Sequence, residues 1–376
     1  MKAQVLYDIN NIIYTEVDKP VPSKEEALVK VTRCGICGSD IPRIYKTGAH
    51  NMPLIPGHEF TGTVMECDLN QSLIGKRTAV FPLIPCKECD QCKVGHYEMC
   101  KNYDYLGSRS NGGFAQYVRV PVWNLMPIPD EVTDDEAAML EPMCVAVHAM
   151  IGIGLEIVKG ADSKSNSKSV VAINANTRKE PSIVICGLGT IGLLLAMFVK
   201  DAGYKNVFLI GNKDIQKKAV IDIGYDIDYF CDVRYDDPIT FVMDRTNGHG
   251  CDYYFECIGR SENYGQAVSC SAPLGNVMLV GNPASDMNLS RDIYWKILRN
   301  QLTLKGTWNS SYGVEGDDWS YVINRLSAWK KTDLDTISFS PSKLITHRFN
   351  LEHMQEGLDI MRMKSQEYIK VMIEIS

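Results

Sequence analysis

The chain has 376 residues, with 39 Lys and Arg against 46 Asp and Glu, a formal net charge of −7. That length exceeds one ordinary hydrophobic core and predicts two domains. The acidic balance argues against a nucleic-acid partner, which needs a basic face, and no apolar run approaches the ~20 residues of a membrane helix.

The N-terminus, MKAQVLYDIN, lacks the apolar stretch of a signal peptide. Thirteen cysteines, an odd number, fit a reducing compartment better than a disulfide framework. A cytoplasmic protein with no membrane partner is therefore expected. Residues 1–145 carry short strand-like runs separated by turns: Ala27–Val31, Gly62–Met65, Arg77–Phe81 and Phe114–Val120. They predict a compact, mainly β unit. Inside it lies CKECDQCKVGHYEMC, which places Cys86, Cys89, Cys92 and Cys100 in a single loop. Four thiolates at this spacing can face one centre, the closed tetrahedral geometry of a structural zinc. A helix is predicted to start at Thr133, because Thr133-Asp-Asp-Glu136 has the capping-box form. Pro142 is expected to disturb that helix just after Glu141.

The stretch 160–180 is rich in Ser, Asn and Lys and reads as a solvated surface insertion, with a short hairpin expected around Ser169–Ile173. From Ser182 onward strand and helix patterns alternate. Ile183–Cys186, Val207–Ile210, Tyr253–Phe255 and Val277–Val280 read as parallel strands, and Thr190–Ala202 as a helix. The expected fold class is α/β, with a doubly wound parallel sheet beside the mainly β unit. Gly187-Leu188-Gly189-Thr190-Ile191-Gly192 follows the first of these strands and opens the helix. In that context the glycines permit a tight turn and close approach of a pyrophosphate to the helix N-terminus, so a dinucleotide cofactor is expected. An acid that would hold the adenosine ribose is expected about 20 residues on. That place is taken by Gly211, followed by Asn212 and Lys213. A missing carboxylate and a nearby cation favour NADP slightly over NAD. Asp214 lies too far along for the ribose role and is expected to help cap the next helix. The last ~70 residues return to mixed texture and end in the strand-like run Val371–Ile375.

CGICGSD at 34–40, GHEF at 57–60, the cysteine quartet, GGFAQY at 112–117, LEP at 140–142 and GLGTIG at 187–192 occur together. In this order they resemble the zinc-containing medium-chain alcohol and polyol dehydrogenases over nearly the whole chain. The resemblance implies a GroES-like catalytic domain formed by 1–145 and 308–376, and a Rossmann domain over 146–307. It implies two zinc ions, one structural and one catalytic. Cys37 and His58 match catalytic-zinc ligands. Glu141 matches the glutamate that binds the metal directly or through water, and Glu59 a residue that is either a ligand or just behind one. Ser39 matches the hydroxyl that hydrogen-bonds the reacting oxygen, and Asp40 fits an orienting role. Together they imply hydride transfer from a secondary alcohol to NAD or NADP by a homodimer or homotetramer. Pro42 stands where many members carry a proton-relay histidine.

Further similar segments, GSDIPRIYKTGAH at 38–50, YDYLGSRSNGGFA at 103–115 and KILRNQLTLKGTW at 296–308, point to a sugar-alcohol phosphate such as galactitol 1-phosphate. Arg43, His50 and Arg109, with Lys46, are candidates for the phosphate. An unphosphorylated polyol, a simple secondary alcohol or threonine would use the same chemistry. A non-catalytic binding protein has no reason to retain Cys37, Ser39, His58 and Glu141 together, and a zinc hydrolase has no need of GLGTIG.

Overall fold

The structure is a computed structural model that describes residues 1–157, 180–283, 285–331 and 340–376. Apart from Glu180, the polar stretch 160–180 and its expected hairpin lie outside the described residues. The chain divides into two compact units, Met1–Val145 with Asn309–Ser376, and Ala146–Trp308.

In the first unit the main sheet runs, in spatial order, Ile345–Asn350, Lys370–Glu374, Glu26–Ile36, Glu59–Cys67, Arg77–Val80 and Leu125–Pro127. Tyr117–Pro121 also pairs with Glu26–Ile36. The long central strand is apolar at Ala27, Leu28, Val29, Val31, Cys34 and Ile36, all buried. Burying a Val or Leu of this kind contributes ~1.5–3 kcal/mol, which holds the register firmly. That register sets Gly35 opposite Glu59 on one side and opposite Met372 on the other.

Thr133 caps the helix Asp134–Ala138 with both halves of the capping box: Glu136 N–H donates to Thr133 Oγ1 at 3.3 Å, and Thr133 N–H donates to Glu136 Oε2 at 3.0 Å. The break falls at Met139, ahead of the expected place. Pro142 lies in the first turn of the next helix, Leu140–Gly152. A proline is tolerated there because its missing N–H would have had no intrahelical partner.

The second unit is built on six parallel strands in the order Phe230–Asp232, Val207–Gly211, Ile183–Cys186, Cys251–Glu256, Ser271–Leu279 and Thr303–Gly306. In chain order this is 3-2-1-4-5-6, the doubly wound arrangement. Ile183–Cys186 and Val207–Gly211 are buried along their whole length, as strands covered on both faces must be. The strand order reverses beside Ile183–Cys186, so its C-terminal end opens onto the switch point where such sheets bind ligands.

Candidate functional site

Three separate features carry chemistry. The first is the turn at the end of Ile183–Cys186. Gly187 has φ +97, and a Cβ there would meet Ile258 Cγ1 at 2.5 Å. A Cβ on Gly192 would collide with the Gly187 carbonyl oxygen. Gly189 caps the helix Thr190–Asp201, with Thr190 and Ile191 in its first turn. The first-turn backbone N–H groups of a helix have no partner within the helix and suit a pyrophosphate. One strand over, Gly211 ends Val207–Gly211. Asp214 does not cap the following helix. Lys213 is the cap residue, Asp214 is the first helical residue, and its carboxylate accepts from Arg234, which Asp232 also holds at 2.6 Å. A charged partner outcompetes a local backbone N–H for that carboxylate.

The second feature is the cysteine quartet. The sulfurs of Cys86, Cys89, Cys92 and Cys100 lie within 4.8 Å of one another. Cys100 is 3.4 Å from Cys86 and 4.0 Å from Cys89, sulfur to sulfur. Two thiolates on one tetrahedral zinc, each ~2.3 Å from the ion, would stand about 3.8 Å apart. The donor set therefore fits zinc in number, type and spacing. Backbone N–H groups of Cys92 and Lys101 hold the Cys89 thiol down at about 6, while burial pushes Cys92 up to about 12.

The third feature joins remote parts of the chain. Cys37 follows directly on the end of the central strand Glu26–Ile36. His58 precedes the strand Glu59–Cys67, and Glu59 is its first residue. Ligand atoms of Cys37, His58 and Glu59 lie within 4.8 Å of one another. A thiolate, an imidazole and a carboxylate are donor types that fit a divalent transition metal. Glu141 does not join that group. Its carboxylate, in the first turn of Leu140–Gly152, accepts from the Tyr105 hydroxyl at 3.3 Å. Burial pushes the Glu141 carboxyl up to about 7; the His58 charge opposes the rise and the Glu59 charge adds to it. A buried carboxyl beside a thiol and an imidazole, with the Glu141 carboxyl within electrostatic reach, forms an electron-rich set that a cation would satisfy.

Asp40 is fully buried behind these groups. It accepts from Cys37 N–H at 3.0 Å and from Arg43 Nη1 at 2.6 Å, and its Oδ1 stands 3.5 Å from His58 Nδ1. That last spacing is too long and too poorly aligned for a hydrogen bond, and His58 Nδ1 has no hydrogen-bond partner. Burial works to lower the His58 pKa, but the charges of Asp40 and Cys37 overcome it and the pKa lies well above the ordinary value. Metal binding must displace that proton, because only the neutral ring is a ligand. Ser39, half-buried, precedes the short helix Asp40–Pro42 and makes no capping bond with its side chain.

Of the phosphate candidates, Arg43 is engaged by Asp40. Arg109 lies 4.4 Å over the Tyr103 ring, Tyr103 meets Tyr105 edge-on at 6.2 Å, and Tyr105 meets His58 edge-on at 5.8 Å. Asn51 Nδ2 donates to the Arg109 carbonyl at 2.9 Å, which ties the segment bearing His50 to the one bearing Arg109. His50 and Lys46 are exposed.

Two residues at this cluster escaped sequence reasoning. Tyr105 stands in the similar segment at 103–115, and a tyrosine there was open to notice. Lys370 heads the apolar strand Lys370–Glu374, 2% exposed; its Nζ pairs with Glu59 and donates to the Ile36 carbonyl at 3.1 Å. A lone lysine opening an otherwise apolar run was the only signal. The pair crosses directly over Gly35, where a Cβ would strike Glu59 Oε2 and meet Lys370 Cε at 2.7 Å. Only glycine leaves that space. In the metal-free protein Lys370→Met should cost about 3–5 kcal/mol in chemical denaturation, because Glu59 is then left buried and unpaired. Adding Glu59→Gln should recover most of it; a loss below ~1 kcal/mol would show that the Glu59 charge is balanced without Lys370.

Comparison with known proteins agrees with this architecture. The model of the alcohol dehydrogenase GroES-like domain matches residues 23–130, and that of zinc-binding dehydrogenases matches residues 190–328. Galactitol 1-phosphate 5-dehydrogenase of Escherichia coli K12 is 30% identical over 91% of this chain and 91% of its own. L-threonine 3-dehydrogenase of Pyrococcus horikoshii is 28% identical over 92% of this chain and 91% of its own. The crystal structure of galactitol-1-phosphate dehydrogenase from Escherichia coli superposes with a TM-score of 0.84 at 28% identity, covering all of both chains. The chain belongs to the zinc-containing medium-chain alcohol and polyol dehydrogenases, a family of oxidoreductases. Among the described residues no helix is long and apolar enough to cross a membrane.

Proposed function

We propose that this protein oxidises a secondary hydroxyl of a sugar-alcohol phosphate of the galactitol 1-phosphate type to the ketone, with the hydride passing to NADP in preference to NAD. The observation that carries the reading is the convergence of Cys37, His58 and Glu59, with Glu141 close by, in a chain that also has the glycine turn of a dinucleotide site. Cys37 and His58 would hold a catalytic zinc, with Glu59 or Glu141 completing the set, and the bound ion would supply Lewis-acid polarisation of the substrate hydroxyl. Asp40 orients this arrangement through Cys37 N–H and lies against His58. Ser39 would accept the hydroxyl proton, and Pro42 has no side-chain acceptor to pass it on, so the proton would leave through water or another group. Cys86, Cys89, Cys92 and Cys100 would hold the structural zinc.

Substrate choice is supported by the 30% identity to galactitol 1-phosphate 5-dehydrogenase and by Arg109, fixed on the Tyr103–Tyr105 aromatic pair that ends at His58. A planar guanidinium held in this way is suited to bidentate phosphate binding. The test is a panel of galactitol 1-phosphate, galactitol, sorbitol and L-threonine. The phosphorylated polyol should lead the others in kcat/KM by about 100-fold or more, and Arg109→Ala should raise its KM about tenfold with kcat little changed. Equal efficiency on galactitol and its phosphate would exclude a phosphate site. L-threonine as the best substrate would exclude the polyol reading.

A further inference from the structure

Gly211 occupies the strand end at which doubly wound folds place a ribose-binding acid, and the space beside it is already filled. A Cβ on Gly211 would meet Gln216 Oε1 at 2.7 Å, Phe230 Cε2 at 3.0 Å and Leu188 Cδ1 at 3.2 Å. Gln216 lies in the first turn of the helix Asp214–Asp222 and is 8% exposed. Its Oε1 accepts from Asn212 N–H at 2.9 Å. That bond assigns the amide, since only the oxygen can accept from a backbone N–H. The Nε2 group is left as a two-hydrogen donor, with no hydrogen-bond partner among the described residues. Leu188, packed at the same point, belongs to the glycine turn. The neighbouring cation Arg234 is balanced by Asp214 and Asp232.

We propose that Gln216 sets the choice of dinucleotide by presenting a neutral amide donor to the 2′ oxygen of the adenosine ribose. Its side chain lies against Gly211, the strand end from which the fold ordinarily presents a carboxylate acceptor. A donor accommodates a 2′-phosphate as well as a 2′-hydroxyl, whereas a carboxylate accepts from the hydroxyl and repels the phosphate. This deepens the dinucleotide reading above and rests on it.

The experiment titrates the full-length, zinc-loaded protein and its Gln216→Glu variant with NADH and NADPH, following nicotinamide fluorescence to obtain each Kd. Glutamate can still accept from Asn212 N–H but exchanges the donor for a negative charge. The Kd for NADPH should rise by about tenfold or more while that for NADH stays within about threefold. An unchanged ratio of the two constants, in a variant whose thermal melt matches the parent, would overturn the proposal. Should Gln216→Glu fail to fold, Gln216→Ala removes the donor without adding charge. Both constants should then rise, and no change in either would overturn the proposal. A parent protein that prefers NADH, with the ratio still moved by Gln216→Glu, keeps the role of Gln216 and removes only the NADP preference. A parent that binds neither dinucleotide removes both readings.

Discussion

A Cys37→Ala variant is expected to lose at least about three orders of magnitude in kcat/KM while binding NADPH as tightly as the parent. Ligand atoms of Cys37, His58 and Glu59 lie within 4.8 Å of one another, and without the Cys37 thiolate the remaining donors are an imidazole and carboxylates. Those hold a divalent ion more weakly and leave its charge less balanced. On the proposed reading, loss of the ion would remove stabilisation of the reacting oxygen, a contribution made only in the transition state. It should therefore appear in kcat more than in KM. The glycine turn at Gly187–Gly192 belongs to the other unit, so dinucleotide affinity should be unaffected. Elemental analysis should find zinc reduced by one ion per chain, with the quartet still loaded. Full activity in this variant would overturn the placement of the chemistry at Cys37.

Cys89→Ser should behave in the opposite way, losing stability first and activity only as a consequence. The loop from Cys86 to Cys100 has only short helical turns, Asp90–Lys93 and Tyr97–Met99, and its own side chains supply little core. On the proposed reading, a zinc on the four sulfurs would hold it. A structural zinc contributes its binding energy to folding, ~10–16 kcal/mol in small zinc peptides, and one missing thiolate forfeits a large part of it. The melting temperature should fall by roughly 10 °C or more, and a metal chelator should destabilise the parent to a similar extent. A variant that melts with the parent yet is inactive would move the quartet from a structural role to a catalytic one.

The parts of this protein that were legible in its sequence are those in which the interacting residues are close along the chain. The capping box at Thr133 and Glu136 spans one helical turn, and the quartet fits in one loop. The turn from Gly187 to Gly192 carries its own steric reason, since Gly192 must clear the Gly187 carbonyl. Pro142 was misplaced because its effect depends on which turn of a helix it occupies, and that was decided by a break at Met139. Asp214 was misassigned because its partner Arg234 lies 20 residues away, on the far side of the next strand.

Composition and local spacing were enough to read an acidic α/β chain with a glycine turn suited to a dinucleotide and four cysteines able to face one metal ion, each a property of residue type or of contacts within a few turns of chain. Cys37 and His58, 21 residues apart, entered as ligand candidates only through the resemblance to a family. Strand register alone brought Glu59, paired with a lysine 311 residues away, into the group with Cys37 and His58. Helix placement alone set the Gln216 amide across Gly211. Register and helix packing follow from burying apolar faces such as Val29, Val31 and Ile36 over the whole unit. Their outcome at any one side chain is therefore not written in its neighbours along the chain.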